Sequence, residues 1–125
     1  MKKKSQPKKI PDVKPVNIGV DFYHQVHDVA RLVPYGRVTS YGAIAKALAA
    51  PKAARLVGYA MHLAHTASKP VPAHRVVNSQ GLLTGKHHFG SPFLMQQLLE
   101  AEGVEVVNNK VSNFKNLFWN PLTEL

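Results

Sequence analysis

Proline and glycine divide this chain into short segments, and that division constrains its fold more than any other feature. Apolar residues recur at helical spacing after Asp21, a suitable N-cap, until Pro34-Tyr35-Gly36 ends the segment. Ser40 is a good N-cap for a second helix, which Ala50-Pro51-Lys52 breaks before a third helix over 53–64. We therefore expect helices of a few turns each, joined by tight breaks.

The second and third predicted helices form the outline of a helix-turn-helix. The third is rich in small residues, and four apolar side chains on it are expected to face inward: Leu56, Val57, Ala60 and Met61. Helix hairpins are common, so the outline alone is a weak indication of DNA binding.

The C-terminal half adds short strands to the helices. His74 to Val77 is typical of a short strand or turn, and Ser91-Pro92 predicts a helix with proline at its first position. That helix should end at Gly103, and a small hairpin should turn at Asn108-Asn109. Four residues are expected to close the core: Phe114, Leu117, Phe118 and Trp119. The predicted fold class is α+β and mostly helical.

The charge distribution favours a polyanionic partner. Sixteen basic residues oppose seven acidic ones, and no acidic residue lies between Asp28 and Glu100. Residues 1–17 form a lysine-rich segment that we expect to be a disordered basic tail, followed by one domain over 18–125. Nucleic acid is the favoured partner, although a generally basic surface would have the same composition.

The residue types present exclude several functions. The chain has no cysteine, so disulfides, thiolate metal sites and thiol nucleophiles are absent. The histidines lack the spacing of a zinc site, and His87-His88 indicates a solvated loop. No apolar run is long enough for a membrane helix, and no apolar run follows the first lysines as in a secretory signal. We expect no cofactor, no metal, no membrane association and a monomeric protein, located in the cytoplasm with the nucleoid in a bacterium or in the nucleus of a eukaryote.

Four blocks in the chain carry a resemblance to a known family. They are Pro-Tyr-Gly-Arg-Val-Thr-Ser-Tyr-Gly at 34–42, Pro-Lys-Ala-Ala-Arg-Leu-Val-Gly at 51–58, Pro-Ala-His-Arg-Val-Val at 72–77 and Leu-Leu-Glu-Ala-Glu-Gly at 98–103. The sequence resembles the DNA-binding domain of O6-alkylguanine-DNA alkyltransferases, and within it the alkyltransferase-like proteins, which have lost the acceptor cysteine. The resemblance implies a winged helix-turn-helix-like domain.

The resemblance also implies a lesion pocket. Ala73 stands where alkyltransferases have the acceptor cysteine and most alkyltransferase-like proteins have tryptophan. A methyl group should leave more room for bulky O6 adducts, although the missing aromatic contact could instead weaken binding. His74 and Glu102 match the family's proton-relay residues, which have no thiol to activate here, so a structural hydrogen bond is expected. Arg75 is expected to be a structural ion-pair partner.

DNA contacts follow from the same resemblance. The helix over 53–64 would enter the minor groove, with Arg55 as the finger that replaces a flipped nucleotide and Tyr41 pressing on its 3′ phosphate. The carbonyls of Ala73 and Val76 would accept from the guanine amine, and Met61 would line the pocket or belong to the core. Further contacts with DNA are implied for Lys52, Ala54 and Gly58.

Three departures from the alkyltransferase pattern concern the pocket and the ends of the chain. The loop between Met61 and Pro72 is one residue longer and lacks the family's Asn-Pro, Lys86 replaces a frequent tyrosine, and a basic tail replaces the separate N-terminal domain.

The predicted function is non-enzymatic recognition of O6-alkylguanine in duplex DNA, with handover to nucleotide excision repair proteins. The alternatives are a general or regulatory winged-helix DNA-binding protein without lesion preference, and an enzyme that acts without cysteine, such as a dealkylase or glycosylase.

Overall fold

The structure is a computed structural model that describes residues 20–125. The predicted tail at 1–17 lies outside the described residues. Within 20–125 the chain forms six α-helices and four two-residue strands in an α+β arrangement, with helix in excess, as predicted. In chain order they are α1 Val20–Leu32, β1 Thr39–Ser40, α2 Tyr41–Ala47, α3 Ala54–Leu63, β2 Val76–Val77, α4 Leu94–Ala101, β3 Val106–Val107, β4 Lys110–Val111, α5 Phe114–Leu117 and α6 Pro121–Glu124.

Helices α2 and α3 form the predicted helix-turn-helix. The Ser40 side chain caps α2, because its hydroxyl accepts a hydrogen bond from the Ala43 N–H at 3.1 Å. The helix ends where Ala49 takes a positive φ of 59°, and the Ala50 N–H then donates to the Ala45 carbonyl at 2.9 Å. The break therefore comes one residue before the predicted Ala50-Pro51-Lys52.

Two short sheets connect distant parts of the chain. Strand β1 pairs in parallel with β2, with Thr39 opposite Val76. Strands β3 and β4 form the predicted antiparallel hairpin, in which Asn108 and Asn109 both have positive φ, as a two-residue turn requires. The β1–β2 pairing places the residues just before β2 beside the start of α2.

The core consists of two clusters that meet near β1 and β2. The first packs α1, α2 and α3 around residues with little or no exposed surface, which include Val26, Ala30, Ile44, Val57 and Ala60. The second packs α4 against the hairpin through Val38, Val77, Leu83, Met95, Leu99, Val104 and Val111.

Some predicted boundaries and burials are wrong in detail. Asp21 lies inside the first turn of α1 instead of capping it. Ser91 caps a turn, accepting from the Phe93 N–H at 3.2 Å, so α4 begins at Leu94 and Pro92 is not its first residue. Of the four predicted core residues near the C-terminus, Trp119 is buried, and Phe114 and Leu117 are partly buried and pack against the second cluster. Leu56 on α3 is half-buried.

Among the described residues, no helix is long and apolar enough to cross a membrane.

Candidate nucleic-acid interface

A pocket of about 260 Å³ opens beside α3 and contains most of the predicted site residues. Helices α2 and α3 form one side, and the 3₁₀ turns at 73–75 and 84–88 form the other. The lining residues are Tyr41, Ala54, Arg55, Gly58, Met61, His65, Ala73, Val76, Thr84, Gly85, His88, Phe89 and Met95. Seven of these are predicted site residues, so the structure brings together positions that lie up to 35 residues apart in the sequence.

One face of α3 borders the pocket and carries a cationic side chain and a glycine. Arg55 lies in the first turn of α3 and its side chain is exposed, while Gly58 follows one turn later on the same side. A Cβ added at Gly58 would meet no other atom within 4 Å, so this face is open to an incoming group. Met61 lines the pocket and also belongs to the core.

Tyr41, the first residue of α2, lines the pocket next to the 84–88 turn. Burial raises the pKa of its hydroxyl, and a hydrogen bond with Thr84 lowers it in part, so the phenol stays neutral and can donate near neutral pH. Gly85 lets the 84–88 turn approach, because a Cβ there would lie 2.8 Å from the Tyr41 hydroxyl oxygen. A neutral donor at a pocket rim is suited to a phosphate oxygen.

The back of the pocket is the turn that carries Ala73. This residue is 7% exposed and presents only a methyl group, where a thiolate or an indole would fill space. Val76 follows as the first residue of β2, whose pairing with β1 fixes the turn against the start of α2.

His74 and Glu102 form a structural pair with Arg75. His74 Nε2 donates to a Glu102 carboxylate oxygen at 2.6 Å, and Arg75 donates to the same carboxylate through Nε and a terminal nitrogen at 2.8–3.1 Å. The Gly36 N–H adds a further bond of 2.8 Å. Arg75 also donates to the Val33 carbonyl at 2.9 Å, which agrees with its expected role as an ion-pair partner within the fold.

This network holds Glu102 ionised. The side chain is only 6% exposed, and burial alone would raise its pKa. Hydrogen bonds from Arg75, Gly36 and His74 outweigh burial and lower the pKa of Glu102 from 4.5 to about 2. The carboxylate is fully engaged by donors and does not face the pocket, so it fixes the Ala73 turn to the C-terminal end of α4.

Arg31 fixes the loop whose family Asn-Pro is missing. Its guanidinium donates to the carbonyls of Lys69 and Pro70, both at 3.1 Å, and pairs with Asp28 at 3.0 Å. The loop before Ala73 is thus held from α1, a contact that sequence spacing could not reveal.

Sequence reasoning missed six residues that line the pocket: His65, Thr84, Gly85, His88, Phe89 and Met95. His87-His88 was expected in a solvated loop, and both are exposed, but His88 lies in a 3₁₀ turn and its ring contacts His62. Lys52 and Lys86 do not line the pocket; Lys52 shares a neighbouring surface depression with Arg55. Within residues 20–125, no group of histidines and carboxylates could hold a metal ion.

The family model for the DNA-binding domain of 6-O-methylguanine DNA methyltransferase matches residues 21–104. The chain belongs to this family. The match covers both helices of the helix-turn-helix, the pocket and the His74–Glu102 pair.

The relatives within the family include an alkyltransferase-like protein and methyltransferases. Alkyltransferase-like protein 1 of Schizosaccharomyces pombe is 37% identical over 105 residues, which are 81% of this chain and 96% of the relative. A methylated-DNA–protein-cysteine methyltransferase of Methanosarcina acetivorans is 40% identical over 74 residues, 59% of this chain and 47% of the relative. The chain therefore spans nearly all of the alkyltransferase-like relative but about half of the methyltransferase.

A solved structure of the S. pombe protein, Atl1, has the same fold. It matches 79% of this chain and 94% of its own with a TM-score of 0.68 and 36% identity, and it was determined in complex with damaged DNA containing O6-carboxymethylguanine. This chain thus belongs with the alkyltransferase-like members, and its pocket has no thiol to accept an alkyl group.

Proposed function

We propose that this protein recognises O6-alkylguanine in duplex DNA by flipping the modified nucleotide from the minor groove into the α3 pocket, and that it leaves the alkyl group in place. The observation that carries the proposal is the pocket itself. An exposed arginine and a neutral phenol flank its opening, and Ala73 lies at its back. This arrangement suits a base held by shape and hydrogen bonds, with no nucleophile at the reacting position.

Base flipping can make the protein selective for alkylated guanine without any chemical reaction on the base. Extruding a base costs a few kcal/mol, and the cost is lowest for a damaged or mispaired base. In this proposal Arg55 occupies the vacated space and Tyr41 donates to the phosphate of the flipped nucleotide; both residues line the pocket. The relative Atl1 was determined bound to DNA with an O6 adduct, which supports DNA as the partner of this chain.

The small side chain at position 73 suggests how large an adduct is accepted. Tryptophan there would occupy much of the space that the Ala73 methyl leaves open. We therefore expect O6 adducts larger than methyl to enter the pocket.

The first test is an equilibrium binding titration on two duplexes that differ by a single O6-methylguanine, at fixed moderate salt. We expect the modified duplex to bind at least about tenfold more tightly, which is about 1.4 kcal/mol and within the saving in extrusion cost. The alkylated base should be recovered unchanged after long incubation.

Two other results would point elsewhere. Equal binding to both duplexes would leave a general winged-helix DNA-binding protein. Release of a free base or of restored guanine would indicate an enzyme that works without a thiol.

The lysines of residues 1–17 should contribute affinity but no preference. A chain beginning at residue 18 should bind both duplexes more weakly by the same factor, and the logarithm of its affinity should fall less steeply with salt, by about 0.9 for each lost phosphate contact. Titrations at three salt concentrations measure this. A selective loss of lesion binding would contradict it.

In the last step of the proposal, the protein acts as a monomer and hands the bound lesion over to nucleotide excision repair proteins. A complex that covers the lesion without altering it needs a later step that removes the damaged nucleotide.

A further inference from the structure

One wall of the pocket carries histidines that the proposed function does not use. His65 and His88 both line the pocket and both are exposed. The His88 ring lies 4.3 Å from that of His62, and the His65 ring meets Phe89 edge-on at 4.4 Å. The 3₁₀ turn that follows α3 and the 84–88 turn therefore place two imidazoles at the same cavity.

The surroundings of these histidines contain cations and few carboxylates. The charged groups on the elements packed around them are Arg55 on α3, Lys86 in the same turn, Asp21 and the Asp28–Arg31 pair on α1, and Glu100 on α4. Glu100 accepts a hydrogen bond from Gln96, and Asp28 is paired with Arg31. The remaining titratable neighbours are His62, His87, Tyr41, Tyr59, Tyr23 and His27.

The histidines also oppose one another's charge. Burial lowers the pKa of His65, and His88 and His62 lower it further; burial, His62 and His87 do the same for His88. The imidazoles of His65 and His88 therefore take up a proton less readily than a free histidine does. An anion bound in the pocket beside them would favour that proton, because an opposite charge within a few ångströms stabilises the charged form.

We propose that His65 and His88 form the adduct-recognising wall of the pocket, and that they favour O6 adducts ending in a carboxylate by taking up a proton when such an adduct binds. This inference rests on the proposed function, since the adduct must first enter the pocket. Ala73 leaves space at the back of the same cavity for an adduct longer than methyl.

The test compares two adducts of nearly equal shape. Duplexes carry O6-carboxymethylguanine or the neutral O6-carbamoylmethylguanine, and each is titrated with the full chain at about pH 8 and about pH 5.5, where histidine changes charge. Effects of pH on the duplex and on phosphate contacts change both affinities equally, so they do not alter the ratio of the two affinities. We expect the ratio to shift about fivefold toward the carboxylate at the lower pH, as when an anion raises the pKa of one histidine by about one.

Matched variants assign the effect to the pocket. His65→Gln and His88→Gln should each reduce the pH-dependent change in the ratio, whereas His24→Gln should preserve it, because His24 is exposed on α1 and does not line the pocket. Binding of an O6-methylguanine duplex at about pH 8 reports whether each variant is folded. The affinity ratio of the unaltered chain at the two pH values tests the carboxylate preference even if a variant does not fold.

The outcomes separate the two proposals. A ratio that does not change with pH would overturn this inference, and equal strengthening of both duplexes at low pH would assign the histidines to backbone phosphate. An equal loss in His24→Gln would also overturn it. Absence of any preference for O6-methylguanine over guanine at about pH 8 would instead refute the proposed function.

Discussion

Replacing Arg55 by alanine is expected to reduce the preference for O6-methylguanine over guanine by about tenfold or more, while binding to unmodified duplex falls much less. Arg55 lies on the exposed first turn of α3 at the edge of the pocket. A planar cation can stack in the gap left by a flipped nucleotide and so offset part of the free-energy cost of extruding the base. Its loss should remove at least about 1.4 kcal/mol of this stabilisation. Paired titrations of the two duplexes measure the change.

Two further variants separate insertion from ordinary charge attraction. Lys52→Ala removes one positive charge from the surface next to Arg55 but leaves the pocket lining intact, so both duplexes should lose affinity equally. Arg55→Lys keeps the charge and loses the planar group, so it should retain general affinity and lose preference. If Arg55→Ala behaved like Lys52→Ala, Arg55 would be a phosphate contact and the finger assignment would be wrong.

Local chemistry accounts for the parts of the fold that the sequence predicted well. The Ser40 cap, the stop at Gly103 and the Asn108-Asn109 turn each depend on residues within a few positions of one another. The start of α4 was predicted too early because Ser91 and Pro92 signal a turn as readily as a helix. Here Ser91 accepts hydrogen bonds from the Phe93 and Leu94 N–H groups, which closes a turn just before α4.

The candidate site was predictable on one side only. The family resemblance supplied Arg55, Gly58 and Ala73, and the structure places all three around one pocket. The wall containing His65 and His88 arises where the end of α3 meets the 84–88 turn, and contacts between such distant segments leave no periodic pattern in the sequence. A histidine pair in a loop has the same local sequence whether it faces solvent or a cavity.

Replacing Glu102 by alanine should destabilise the protein by about 3–5 kcal/mol, because it removes the buried carboxylate that accepts from the partly buried Arg75 guanidinium and His74. Glu102→Gln should cost less, since the amide oxygen can still accept from one donor. Glu100→Ala is the matched control on α4: Glu100 is exposed and bonds only to Gln96, so its loss should change the free energy of unfolding by less than about 0.5 kcal/mol. Denaturant unfolding at neutral pH measures all three.

The acid dependence of stability tests the same carboxylate without relying on the size of one mutational effect. The pKa of Glu102 is lowered on folding from 4.5 to about 2, so its contribution is fully present above about pH 4.5 and is lost as the pH falls toward 2. The pKa difference corresponds to about 3 kcal/mol. In Glu102→Gln this part of the acid dependence should vanish, whereas in Glu100→Ala it should persist. An unchanged acid profile in Glu102→Gln would show that the network around Glu102 does not hold the Ala73 turn to α4 by charge.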